Sequence, residues 1–396
     1  MTITPSDPYA AYSALRTSGP VHRIPGPDGS PSWLVTRYDD VRQALADPRL
    51  SVDKRNALPG NYRGLSLPPA LDANLLNMDP PDHTRIRTLV TRAFTPSRVV
   101  ELAGPIRRTA GALLEPVVRR GHGDLVAEYA APLPITVICD LLGVPDEIRT
   151  DFRAWTDTVL APPGPDAARA AIGAMLKFFA GLIESKRSDP GDDLVSDLIA
   201  ARDHDDRLTD DELTSLVFLI LFAGYENVVH LIGNATLALL DEPALWEQLL
   251  RDRSLLPSAV DELMRYDGPA PLAIRRFPVA DVEIGGVVIP AGETVLLGLA
   301  SANRDADRFP DADRVDFDRT AGGHLALGHG IHYCVGAPLA RLEIAIALEA
   351  LLDHTPELAL AVPRTELTWR DTIRTRGLVA LPVVTGTDRK TERPDQ

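Results

Sequence analysis

The 396-residue chain carries 41 Lys and Arg against 56 Asp and Glu, a formal net charge of −15, and is 45% apolar. That balance disfavours nucleic acid as a general partner, and the apolar share is enough for a large buried core. Two cysteines at unrelated positions, Cys139 and Cys334, argue against a disulfide scaffold and fit a reducing cytoplasm.

The opening Met1-Thr-Ile-Thr-Pro-Ser-Asp-Pro8 has no basic flank followed by an apolar core, so no signal peptide is read. The longest apolar stretch, Leu216 to Tyr225, is about half of the roughly 20 residues a membrane helix needs. No membrane association is expected, and the location is read as cytoplasmic. With neither repeat nor long linker, residues 1–396 read as one domain, mainly α with small β-sheets.

In chain order, β-rich pieces are expected at about 20–50, including Trp33-Leu-Val-Thr36. Ser51–Asn74 and the Pro/Gly stretch Ala161–Asp166 are candidates for covering a pocket. Helical periodicity dominates from about 83 to 268. His83 and Arg87, at i and i+4, share a helix face that by spacing alone is an ordinary polar one. Between 83 and 120 eight arginines (85, 87, 92, 98, 107, 108, 119 and 120) face only Glu101 and Glu115. This is either a solvated basic face or a docking surface for an acidic partner.

Thr209-Asp-Asp-Glu212 is a capping box that opens a helix reaching to about Leu240. In its middle, Ala223-Gly224 lets a ligand approach the backbone and offers a place for local unwinding. Glu226 puts an ionisable group in an otherwise apolar run, unfavourable unless satisfied or functional. Glu262 and Arg265 place opposite charges at i, i+3, which alone means little. A hairpin turning at Gly285-Gly286 joins two short strands within Val282–Pro290, and Thr294–Leu297 and Leu378–Val384 read as strands. The β-rich pieces thus fall at about 280–300 and 370–386, and the polar tail 387–396 reads as disordered.

The most informative stretch is Ala326-Leu-Gly-His-Gly-Ile-His-Tyr-Cys-Val-Gly-Ala-Pro-Leu-Ala-Arg341. Three glycines (Gly328, Gly330, Gly336) bracket one thiol, and Pro338 suits the first turn of a helix. Free amides and the macrodipole at that helix start favour an anion, so Cys334 reads as a reactive thiolate or a metal ligand. A buried apolar thiol is the bland alternative, and it describes Cys139 well. Zinc would use His324, His329 and His332, but no second Cys and no CxxC or HExxH pair supports it.

The run from Leu327 to Gly336, followed by Leu339-Ala-Arg341, resembles the haem-ligand loop of the cytochrome P450 superfamily. Only Leu327 departs, standing where that family has Phe. The resemblance implies a cytochrome P450 fold with a long central oxygen-binding helix over a b-type haem. Cys334 would be the axial thiolate, His332 a propionate partner, and Leu327, Gly328 and Gly336 part of the haem cradle. Ala223-Gly224-Tyr-Glu226-Asn227-Val228 resembles the family's oxygen-binding motif, with Asn227 and Val228 in place of two hydroxyl residues. Glu226 and Asn227 would then act with Cys334 in catalysis. Asn can position water but cannot pass a proton through itself as a hydroxyl does.

By the same resemblance His83, Arg87 and Arg276 would bind the propionates, and Glu262, Arg265 and Arg314 would form a structural triad. Phe222, Ala223, Asn227, Leu272, Ile274 and Ile373 would line the substrate pocket. The implied reaction is O2-dependent hydroxylation or epoxidation of a medium-sized hydrophobic, natural-product-like substrate. Oxidative C–C, C–N or C–O coupling and a non-catalytic haem sensor are the alternatives. Electrons would come from NAD(P)H through a separate ferredoxin or flavodoxin and its reductase, docking near residues 85–108, and the protein would be a monomer.

Overall fold

The computed structural model describes residues 3–26, 29–62, 68–160, 164–205, 208–320 and 322–386. The tail 387–396, and parts of both candidate covering loops (63–67 and 161–163), lie outside the described residues.

Helices dominate from Asp82 to Asp267, and one of them organises the rest. Asp210–Asp241 runs 32 residues, opened by the expected box: the Thr209 side chain accepts from the Glu212 N–H while Glu212 accepts from the Thr209 N–H. At 1.5 Å per residue that is a rod of roughly 48 Å. The helix is continuous through Ala223 and Gly224, so the local unwinding anticipated there does not occur. A Cβ on Gly224 would lie 2.9 Å from Ile138 Cδ1, so the glycine admits the helix Pro132–Leu142 to close contact. Helices Leu256–Asp267 and Ala337–His354 also pack on the central rod, and Ala103–Arg120 backs Ala337–His354.

Among the described residues this rod is the one helix long and apolar enough to cross a bilayer. Yet 67% of its most apolar window is buried, which is how a core helix of a large domain looks.

The sheets are small. Pro31–Val35 pairs antiparallel with Val21–Pro25 and parallel with Thr294–Leu297, Trp33 opposite Val295. Val282–Ile284 and Val287–Ile289 form the expected hairpin; Gly285 and Gly286 take φ of 56° and 80°, the left-handed pair that a type I′ turn requires. Within the expected strand Leu378–Val384, Pro382–Val384 is strand, pairing with His122–Asp124 and Ala359–Leu360. A second apolar cluster (Val35, Tyr38, Leu297, Phe309) sits under the first sheet, apart from the helical core.

Candidate active site

A cavity is lined by both the middle of the central helix and the loop around Cys334. Ala223, Gly224, Asn227 and Val228 contribute from the helix; Leu327, Gly328, His332, Cys334 and Gly336 contribute from the loop; His83, Arg87, Arg276, Leu272, Ala273 and Ile274 complete the wall. Asn227 is the one polar side chain that the central helix presents there.

The loop is shaped by its backbone. Gly328 and Gly330 hold φ of 75° and 73°, a region L side chains avoid. A Cβ on Gly330 would lie 2.9 Å from the Leu45 carbonyl, so the loop lies tight against the helix Tyr38–Ala46. The Cys334 N–H donates to the Leu327 carbonyl at 2.9 Å, and Ala337–His354 starts directly after, with Pro338 in its first turn. Gly336 differs from the other two: its φ is −82°, and a Cβ there would meet only Phe94 and the Cys334 sulfur at ordinary contact distance.

Five basic side chains line this cavity: His329 and the four described next. His83, buried on the helix Asp82–Thr91, brings its ring to 4.4 Å from that of His332. Burial and then Arg276, His83 and Arg87 push His332 down to about 3. Burial, followed by Arg87, also lowers His83, whose Nε2 is buried with no hydrogen-bond partner. Arg276 is 2% exposed and lowered to about 10 by burial. Its Nη1 donates to the Ile274 carbonyl at 2.6 Å, and among the described residues it has no ion pair. The adjacent Arg275 goes elsewhere, donating to Asn77 Oδ1 at 2.6 Å and lying over Tyr62.

Burial pushes the Cys334 thiol up, against the downward pull of the Gly336 N–H, Arg87 and Arg341. The helix start favours an anion as the sequence suggests, but burial outweighs it. A thiolate at this depth needs a further positive centre, which a haem iron supplies. The buried guanidinium and imidazoles suit a ligand with two carboxylates. The donor set therefore fits a haem with its propionates.

Not every expected residue reaches the cavity. Phe222 stacks on Phe218 with ring centroids 5.3 Å apart, and neither Phe222 nor Ile373 is part of the cavity wall. Glu226 is also off the wall; its Oε1 lies 3.6 Å from His230 Nε2, one turn along. Glu262 and Arg265 pair at 2.7 Å and are both buried, but the third cation is not Arg314. Arg314 is exposed and offers only its carbonyl, to Arg265 Nη2 at 2.9 Å. The third cation is Arg319, whose Nε donates to Glu262 Oε1 at 3.0 Å. Five residues past Arg314 and outside any local periodicity, Arg319 gave no signal in the sequence.

The cytochrome P450 family model matches residues 164–355. The vitamin D(3) 25-hydroxylase of Pseudonocardia autotrophica is 48% identical over 381 residues, covering 96% of this chain and 94% of that protein. The chain belongs to the cytochrome P450 family. A myxobacterial cytochrome P450 crystallised with myristic acid superposes with a TM-score of 0.92 at 41% identity, covering 97% of both chains. The cytochrome P450 CxnD, for C–S bond formation in chuangxinmycin biosynthesis, gives 0.89 at 38% identity over 97% of this chain and 96% of that one. This P450 is an oxidoreductase, a monooxygenase of the bacterial secondary-metabolite type. The family uses haem iron and O2, with a redox partner and a small-molecule substrate.

The basic stretch of this P450 is less free than its sequence reads. Arg85 pairs with Glu212 at 2.6 Å, Arg107 with Glu349 at 3.2 Å, Arg98 with Asp197 and Arg120 with Glu128. Arg87 goes to the cavity. Arg92, Arg108 and Arg119 stay exposed. Arg92 begins the short turn Arg92–Phe94, whose Phe94 lies within contact distance of Gly336 in the Cys334 loop; Ile331 and Tyr333 of that loop are exposed.

Proposed function

We propose that this P450 hydroxylates or epoxidises a medium-sized hydrophobic molecule of the natural-product kind. The observation that carries this reading is the cavity itself: apolar walls from Leu219, Ile220, Leu272 and Ile274, with one thiol and five basic groups gathered on it. Haem bound there supplies the activation of O2, with Cys334 as the thiolate ligand that favours O–O cleavage. Arg87, Arg276, His83 and His332 hold the two propionates, and Leu327 covers the sulfur with apolar volume. Ala223 leaves room beside the helix for substrate and O2. Asn227 orients water by its amide, and Glu226 passes a proton toward it. Glu262, Arg265 and Arg319 fix the fold behind the thiol.

A second reading, oxidative coupling, draws on two observations: Asn227 lacks the hydroxyl that a proton relay uses, and CxnD is for C–S bond formation. A spectral-shift screen of small molecules against the purified holoenzyme tests the substrate class; failure of every apolar compound to shift the spectrum would overturn it. Product mass then separates the readings, a gain of one oxygen against a loss of two hydrogens.

Electrons come from NAD(P)H through a separate reductase and an acidic ferredoxin or flavodoxin, in the cytoplasm, to a monomeric P450. The docking face is drawn from two exposed arginines of the 85–108 stretch, Arg92 and Arg108. Arg92→Glu is expected to slow reduction severalfold, and less at high salt, with an unchanged carbonyl-adduct spectrum. Reduction at the parent rate in stopped flow would remove this face.

A further inference from the structure

The middle of the central helix carries one polar group that none of these roles uses. His230 is 3% exposed, and both of its ring nitrogens are buried without a hydrogen-bond partner. Burying an imidazole unsatisfied is costly and calls for a reason. Its Nε2 lies 3.6 Å from Glu226 Oε1. By helical spacing, Ala223, Glu226, Asn227 and His230 fall at i, i+3, i+4 and i+7, one continuous face. Two of these, Ala223 and Asn227, line the cavity, and Glu226 and His230 are off its wall.

The surroundings make room for this ring. A Cβ on Gly377 would lie 2.1 Å from His230 Nδ1 and 2.3 Å from its Cγ, so only glycine fits while the ring stays where it is. Asn234, one turn further along, ties the two segments together: its Nδ2 donates to the carbonyls of Asp267 and Arg376 at 3.1 and 3.0 Å. The charged groups of that segment are engaged with each other, Arg376 pairing with Asp267 and donating to the Pro5 carbonyl. Glu226 is thus the charged partner left to the imidazole. Gly377 and its neighbours Arg376 and Leu378 are buried, and Val379, one residue further on, is 53% exposed.

We infer that His230 and Glu226 form a two-station proton relay that replaces the hydroxyl absent at position 227. This rests on the monooxygenase reading above. A ring N–H of His230 gives its proton to the Glu226 carboxylate, and Glu226 passes it to a water held by Asn227. A proton from solvent water enters at the other ring nitrogen as this one leaves, so no imidazolate forms, and a tautomer shift resets the ring after each proton delivered. An imidazole exchanges protons at both nitrogens, which suits it to a transfer that an amide cannot perform.

The test uses the haem-loaded enzyme with any substrate found in the spectral screen. His230→Asn and His230→Gln keep a polar side chain but cannot relay. Both are expected to retain the parent's carbonyl-adduct spectrum and substrate-induced shift, while peroxide released per NAD(P)H consumed rises severalfold. The solvent isotope effect on turnover should change as well. Adding Asn227→Thr to His230→Asn should restore coupling, because a hydroxyl relay then stands in for the imidazole. A readout independent of turnover is the ring ¹⁵N resonances of His230 in the diamagnetic carbonyl-bound reduced enzyme, which should move in Glu226→Gln. Unchanged peroxide release in both variants, or a loss that Asn227→Thr does not rescue, would overturn the relay. A parent enzyme that binds no apolar compound would instead sink the monooxygenase reading.

Discussion

The loop around Cys334 and the middle of the central helix line the same cavity, yet they are held there by different means. The loop is fixed by main chain: two glycines at positive φ, the Cys334 N–H on the Leu327 carbonyl, and a helix starting at Ala337. The helix stretch owes its character to side chains from distant segments, with Ile138 against Gly224 and Gly377 against His230. A backbone-built wall tolerates few sequences, whereas a side-chain-built wall can exchange one chemistry for another.

The comparison breaks most sharply at the sulfur. Cys334→Ser is expected to abolish the thiolate signature of the reduced carbonyl adduct and turnover with it, while the fold persists; a spectrum of parent type would remove Cys334 as the ligand. Next comes the buried triad behind the loop. Glu262→Ala leaves Arg265 and Arg319 buried without their shared carboxylate, a loss of about 3–5 kcal/mol readable from the urea midpoint. Arg314→Ala, which keeps the carbonyl that Arg265 uses, should leave that midpoint almost unmoved.

The same change of one methyl separates the two walls directly. At Gly330 an Ala must adopt φ near 73° with its Cβ 2.9 Å from a carbonyl oxygen, costing about 1–3 kcal/mol. At Gly224 the Cβ meets the far end of Ile138, also at 2.9 Å; overpacking there costs about 1–3 kcal/mol, of which the helix propensity of Ala returns about 1 kcal/mol. Thermal unfolding of the two Ala variants measures the difference; equal losses would show that backbone and side-chain construction do not matter here.

What could be read from the sequence follows the same division. The Cys334 loop, the capping box at Thr209 and the Gly285-Gly286 turn are local, each decided by residues within a few positions, and the structure has them where the sequence places them. Arg319 in place of Arg314 could not be read, because contact with Glu262 depends on how the segment from Asn303 to Asp316 wraps around Arg265. Phe222 is turned to Phe218 and Ile373 is off the wall for a related reason: helical phase names a face, while neighbouring helices decide what that face meets. His230 was hidden in an apolar run, and only the glycine at 377, far along the chain, reveals that space is kept for it.

The smallest effect concerns a single buried acid on the helix behind the thiol. Glu343 lines the cavity and is fully enclosed, with Oε1 unpaired; burial alone raises its pKa from 4.5 to about 8. In the folded chain it therefore keeps its proton over a range where the unfolded chain has lost it. Folding takes up a proton between about pH 4.5 and 8, so this carboxyl's stability is complete below that window and declines as pH rises through it. Between pH 6 and pH 7 the decline is at most about 1.4 kcal/mol. Glu343→Gln has no proton to lose and should flatten that part of the urea-midpoint profile. A variant whose profile keeps the parent's slope would show that Glu343 is charged in the folded protein. The helix behind Cys334 would then hold a buried anion with no cation beside it.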